Sequence, residues 1–160
     1  MAAYIKFDGV DGEAQDAQHK NWSDILSFSQ GIRVPGGGQT GPTRRRGDVV
    51  MDDINIVKEL DKASPKLAES MCNGKVFPKV EIHVTASYTD AGRVTYYAYE
   101  LKNVKVSNYN VGGSGQSEDV PTEQMSLNFE EIKVTYTEND AAGKKKGNVE
   151  YTWKVEEAKK

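Results

Sequence analysis

Val111-Gly112-Gly113-Ser114-Gly115, followed by Thr122-Glu123-Gln124-Met125-Ser126-Leu127-Asn128-Phe129, is the stretch whose reading decides the fold. A glycine loop hands the backbone to a run in which Met125, Leu127 and Phe129, and then Ile132, Val134 and Tyr136, recur at every second position. That period belongs to a half-buried strand. The phase flips at Glu130-Glu131, which predicts a bulge or bend. A strand that turns a corner after a long glycine loop belongs to a small closed sheet. Nothing in it carries the pattern of an active site, and the stretch points toward assembly.

Outward from this stretch, strands dominate. Tyr4 to Asp8 alternates and reads as a first strand; Asp24 to Arg33 reads as a second, with Leu26, Phe28 and Ile32 on one side and Ile25, Ser27, Ser29 and Gly31 on the other. Residues 34–47 hold five glycines, two prolines and Arg44-Arg45-Arg46, too long and too polar for a tight hairpin. Val49 to Leu60 resumes the sheet, with Ile54 and Ile56 in phase. Ser64-Pro65 predicts a helix start, and Asn73-Gly74 its end. Leu67, Ala68, Met71 and Cys72 lie between them at helical spacing. Such a helix, roughly 15 Å long, needs an apolar neighbour. Val80 to Thr89 and Val94 to Val106 form the next pair of strands. A lysine-tipped turn over Asn139 to Gly147 leads to Val149, Tyr151, Trp153 and Val155. The expectation is a mainly β fold: a compact β-barrel of two sheets, about eight strands, one short lateral helix and a long extended loop, as one domain over 1–160.

Bulk properties narrow the function. At 160 residues, 37% hydrophobic and 28% charged, the chain has the composition of an ordinary globule. A net charge of −3 argues against nucleic acid. No apolar run is long enough for a membrane span, so no membrane insertion is expected. Met1 to Asp8 lacks the basic start and apolar core of a signal peptide, so synthesis in the cytoplasm is expected, with any export through a dedicated machine. A lone cysteine, Cys72, excludes an internal disulfide and multi-cysteine metal sites, and its place beside Met71 reads as a buried small hydrophobe.

The search for chemistry yields no catalytic residue, no metal site and no cofactor. His19 falls in a polar loop and His83 on the polar phase of a strand, where a surface or hydrogen-bonded role is the ordinary reading. Asp52-Asp53, Glu130-Glu131 and Glu156-Glu157 are adjacent pairs, and neighbours on a strand point to opposite faces. Gly36-Gly37-Gly38 lacks the Gly-Lys-Ser/Thr ending of a phosphate loop. Arg44-Arg45-Arg46 and Lys144-Lys145-Lys146 read as solvated loops or as docking points for an acidic surface, which another copy of the chain could offer. Ser27, Ser29 and Gly31, with His83, Thr85, Ser87 and Thr89, suggest a smooth, wettable sheet face. It is either an ordinary solvent face or the wall of a water-filled channel.

Taken in order, a set of short motifs resembles the Hcp family, the inner-tube proteins of the type VI secretion system. They are Ile5-Lys6-Phe7 with Val10-Asp11-Gly12-Glu13; Ile25 to Gly31; Ser64-Pro65-Lys66-Leu67; Gly74-Lys75 with Phe77-Pro78; Gly112 to Gly115; Thr122-Glu123 through Ser126 to Phe129; Val134-Thr135-Tyr136; and Tyr151-Thr152-Trp153. Ala14 departs from the serine of many relatives, and the Arg44 to Arg46 loop is particular to this chain. The resemblance implies homohexameric rings stacked head to tail into a hollow tube. A contractile sheath would expel that tube with a VgrG-type spike, and effector proteins could ride in its lumen. Within that picture, Ser27 and Ser29 would line the lumen and contact effectors, and Arg44, Arg45 and Arg46 would reach the next ring. The alternative from another class is a monomeric β-barrel that binds a small ligand. A β-rich hydrolase has no nucleophile–base pair to support it, and a phage tail-tube protein would share the architecture.

Overall fold

A computed structural model describes residues 1–34, 49–89 and 91–155. Eleven strands and one helix follow one another as β1 (Ala2–Phe7), β2 (Ser23–Ile25), β3 (Ser27–Ser29), β4 (Ile32–Arg33), β5 (Val50–Met51), β6 (Ile54–Glu59), α1 (Ser64–Asn73), β7 (Phe77–Tyr88), β8 (Gly92–Gly112), β9 (Thr122–Asn128), β10 (Glu131–Asn139) and β11 (Lys145–Lys154). Nine strands form one sheet, in which β2-β1-β7-β8-β9-β6-β3 run as neighbours and β10 lies between β8 and β11; β4 and β5 make a separate ribbon. The expected mainly β fold with one lateral helix is present. The barrel does not close ladder to ladder. The two ends of the path, β2 and β3, are successive pieces of one chain stretch joined at Leu26, whose N–H donates to the Val57 carbonyl at 2.7 Å.

The 21 residues of β8 hold the molecule together, because β10 pairs with Tyr97 to Lys102 and β9 with Lys105 to Gly112. The change of partner falls at a corner. Asn103 takes a left-handed φ of 53°, which asparagine tolerates, and its side-chain amide donates to Glu130 Oε2 at 2.7 Å. The inward phase of β8 passes there from Tyr99 and Leu101 to Val104 and Val106. The bend expected at Glu130-Glu131 is this corner seen from the other strand: β9 stops at Asn128 and β10 starts at Glu131.

Between the two limbs lies a continuous apolar core that includes Ile5, Phe7, Ile54, Ile56, Leu67, Phe77, Ile82, Leu101, Leu127 and Ile132. The helix starts and stops where expected, and Gly74 leaves it at φ 69°. Its N-terminus is held differently from the expected serine cap. Ala63 is the cap residue, the Ala63 N–H donates to Asp61 Oδ1, and the Ser64 hydroxyl accepts from the Asp61 N–H. Met71 and Cys72 are exposed, so Cys72 is not the buried hydrophobe the spacing suggested; Leu67 and Ser70 form the covered face instead.

The segment read as one strand from Asp24 to Arg33 is three short strands, and its phase differs from the alternation. Ile25 is buried and Leu26 exposed, because the chain changes partner between β1 and β6 at that point.

Candidate functional site

On the outer face of the limb formed by β3, β6, β9 and the end of β8, register aligns two rows across four strands. Ser29, Asn55, Ser126 and Asn108 stand abreast, and so do Ser27, Val57, Gln124 and Asn110. Apart from Val57, every member carries a hydroxyl or an amide. Ser27 and Ser29 are exposed on β3, as the sequence suggested. The Ser126 hydroxyl donates to Asn55 Oδ1 at 2.6 Å, and one end of the face is tied by Ser107 and Asn128, which both donate to Asp53. A shallow cavity of about 310 Å³ opens here, lined by Asn55, Asn108, Asn110, Gln124 and Ser126 among others. The surface is wettable and short-chained, and no charged side chain stands in either row.

Alternation contains the signal for the partners that sequence reasoning missed. Asn55 sits between Ile54 and Ile56, and Gln124 and Ser126 flank Met125, so their outward phase was readable; that they stand beside Ser27 and Ser29 depends on long-range register. The β7 residues grouped with them do not join this face. Thr85 is buried, its hydroxyl donating to the Ala2 carbonyl, and His83 faces His19. Arg44, Arg45 and Arg46 lie outside the described residues. Of the lysine run, Lys144 sits in the hairpin turn, while Lys145 and Lys146 begin β11.

A second surface lies where the core runs out of cover. Across β8, β10 and β11 the register sets Leu101, Ile132 and Trp153 abreast, then Tyr99, Val134 and Tyr151, then Tyr97, Tyr136 and Val149. The first row is core, but in the outer rows Tyr151, Tyr136 and Val149 are 42%, 47% and 75% exposed. Leu26, Ile32 and Val34 are exposed apolar residues on a different part of the chain. Among the described residues no helix is long and apolar enough to cross a membrane, and no group of three or more His, Cys, Asp or Glu is placed to hold a metal.

The buried ionic cluster under the polar face was also unforeseen. Lys58, fully buried, pairs with Glu123 Oε1 at 2.5 Å and Asp61 Oδ1 at 2.9 Å, and donates to the Glu59 carbonyl. Ser64 donates to Glu123 Oε1 and Tyr109 to Glu123 Oε2, while Ser23 donates to Asp61 Oδ2. Burial, helped by the carboxylate of Glu123, raises the Tyr109 phenol well above its ordinary range. One ammonium stands between two carboxylates, each carboxylate oxygen accepts at least one hydrogen bond, and the cluster ties β6, α1, β8 and β9 together.

The family described as "Type VI secretion system effector, Hcp" matches residues 4–136. The chain is 33% identical over 153 residues to Protein hcp1 of Pseudomonas aeruginosa, covering 95% of this chain and 93% of that one. The chain belongs to the Hcp family. This Hcp chain superposes on a solved type six secretion system protein with a TM-score of 0.88 at 30% identity, covering 99% and 98% of the two chains. Hcp1 from Salmonella typhimurium shares the fold with a TM-score of 0.78 at 23% identity, covering 99% and 97%. The polar face and the outer hairpin therefore sit on an Hcp scaffold of the type VI secretion system.

Proposed function

We propose that this chain is the structural subunit of the type VI inner tube, not an enzyme. Six copies close into a ring, and rings stack head to tail. The tube is expelled with a VgrG-type spike by a contractile sheath, and effectors travel in its lumen. The protein is made in the cytoplasm and leaves through the machine. The observation that carries this reading is the pairing of an uncharged polar face with apolar rows left uncovered on β10 and β11. A monomer in water has no use for Val149, Tyr151 and Tyr136 as they stand, whereas a neighbouring copy would cover them. The Leu26, Ile32 and Val34 surface lies on other elements. Contact between unlike surfaces of identical copies is heterologous, which yields rings when the rotation closes.

In this reading Ser27 and Ser29, with Asn55, Ser126 and Gln124, form the lumen wall. Short amides and hydroxyls hold cargo by many weak contacts and release it. Arg44, Arg45 and Arg46 belong to the loop that meets the next ring. The rival reading, a monomeric ligand-binding barrel, is disfavoured because Ile56, Leu127, Ile82 and Leu101 fill the interior where a ligand would sit. Multi-angle light scattering with negative-stain microscopy tests the proposal: rings of six are expected, and a strict monomer at high concentration would overturn it.

A further inference from the structure

The two histidines of the chain meet, and their contact counts protons. His19, buried in the loop between β1 and β2, places Nδ1 2.6 Å from Asp16 Oδ2. Its Nε2 lies 3.0 Å from His83 Nδ1, and His83 Nε2 lies 3.4 Å from Glu81 Oε2. Four ring nitrogens thus span three contacts in a line from one carboxylate to the other. The outer two contacts each need an N–H facing an oxygen, and the central one needs a single proton between two nitrogens. Three protons satisfy the line. Two neutral rings supply only two, and two imidazolium rings supply four. The satisfied state is therefore a pair carrying one positive charge between Asp16 and Glu81.

We propose that Asp16, His19, His83 and Glu81 form a proton-counting clasp that fastens the loop between β1 and β2 onto β7, and that the clasp opens on both the acid and the alkaline side of its single-charge state. In acid a fourth proton sets N–H against N–H across 3.0 Å, and the contact breaks. In alkali the loss of the third proton leaves one contact with two lone pairs facing each other. Charged and aromatic groups from the neighbouring elements surround the line. From β8, Arg93 Nε reaches Asp16 Oδ1 at 3.5 Å; from β7, Lys79 pairs with Glu81 at 2.9 Å. From β1, the Tyr4 ring stacks on His19 at 4.5 Å, and Asp24 on β2 adds negative charge near Tyr4. Lys145 of β11 lines the cleft beside His19, His83 and Arg93, and Lys20 is exposed. Both flanking carboxylates are held below their ordinary range, Asp16 chiefly by its hydrogen bond with His19 and Glu81 by that with His83.

The closed loop is held by its own backbone bonds, among them Gly12 N–H to Asn21 O at 2.7 Å, Ala14 N–H to Trp22 O at 2.8 Å and Trp22 N–H to His19 O at 3.0 Å. Hydrogen exchange of residues 12–22, corrected for intrinsic exchange and followed from about pH 5 to about pH 8, where imidazole ordinarily changes charge, reports opening. On the acid limb the open loop binds more protons than the closed one, so closure strengthens as pH rises; on the alkaline limb the closed loop binds more, so closure weakens as pH rises. Protection should pass through a maximum and fall by up to about tenfold per pH unit on either side, the slope of one linked proton. His83→Gln supplies an oxygen for His19 Nε2–H and an amide N–H for Glu81 without titrating. It should keep its protection in acid and lose the acid limb. Protection that is flat or changes in one direction only in the wild type, or an unchanged acid limb in H83Q, would overturn the clasp.

Discussion

Lys58 is the one lysine among the described residues that is removed from solvent. Its position was legible: it continues the inward phase of Ile54 and Ile56, so alternation placed an ammonium in the core. Glu123, in phase with Met125 and Leu127, was equally legible as a buried carboxylate. Their meeting was not, because 65 positions separate them and only the pairing of β6 with β9, which sets Lys58 opposite Glu123, brings them together. Removing one partner strands the other. Lys58→Met should cost about 3–5 kcal/mol, read as a lower urea midpoint with unchanged slope, and adding Glu123→Gln should recover part of it. At the surface, Glu81 titrates at about 2, held there first by His83 and then by Lys79 against the opposing effect of burial. Its folded value lies below the unfolded one, so its contribution is complete above about pH 4.3 and is lost as pH falls toward 2. Glu81→Gln should flatten that part of the acid unfolding profile.

At the scale of elements, the sequence resolved strands best where one face stays buried along their length, as in β6, β9 and the first part of β7. It failed where a strand changes partner. Alternation sets Leu26 on the side of Phe28, but the chain passes from β1 to β6 there and the phase resets, so Phe28 packs on the core and Leu26 is exposed. The bulge between Val84 and Thr85 has the same effect, turning Thr85 inward. Such resets are set by the partner strand, which local periodicity does not contain. The turn before β11 is tighter than the expected span from Asn139 to Gly147, because Lys145 already pairs with Asn139, and its demand is specific. Gly143 has φ 86°, and an added Cβ would stand 2.8 Å from Ala91 Cβ and 2.9 Å from Tyr88 Cγ. Gly143→Ala should therefore destabilise the protein by more than about 1 kcal/mol, seen as a lower thermal midpoint, with the hairpin the first part to exchange.

For the whole molecule the predictions concern assembly. Val149→Asp or Tyr151→Glu places a charge on the uncovered rows and should yield monomers by light scattering with an unchanged far-ultraviolet spectrum. Ser29→Arg should leave rings intact and lower recovery of effectors in pull-down experiments, since a long cation would enter an uncharged wall. Reversing Arg44, Arg45 and Arg46 to glutamate should weaken stacking of rings and spare the single ring, with raised salt acting in the same direction. Of the polar face, Ser27 and Ser29 were visible beforehand; the rest needed the register that sets Asn55 and Ser126 beside them.

One consequence follows from β8, whose 21 residues serve both limbs without a loop between them. Its first part is laddered to β7 and β10 and its last part, from Lys105 on, to β9, with the bend at Asn103 between them. The two limbs therefore share one strand, and they cannot part without tearing the ladders formed on it.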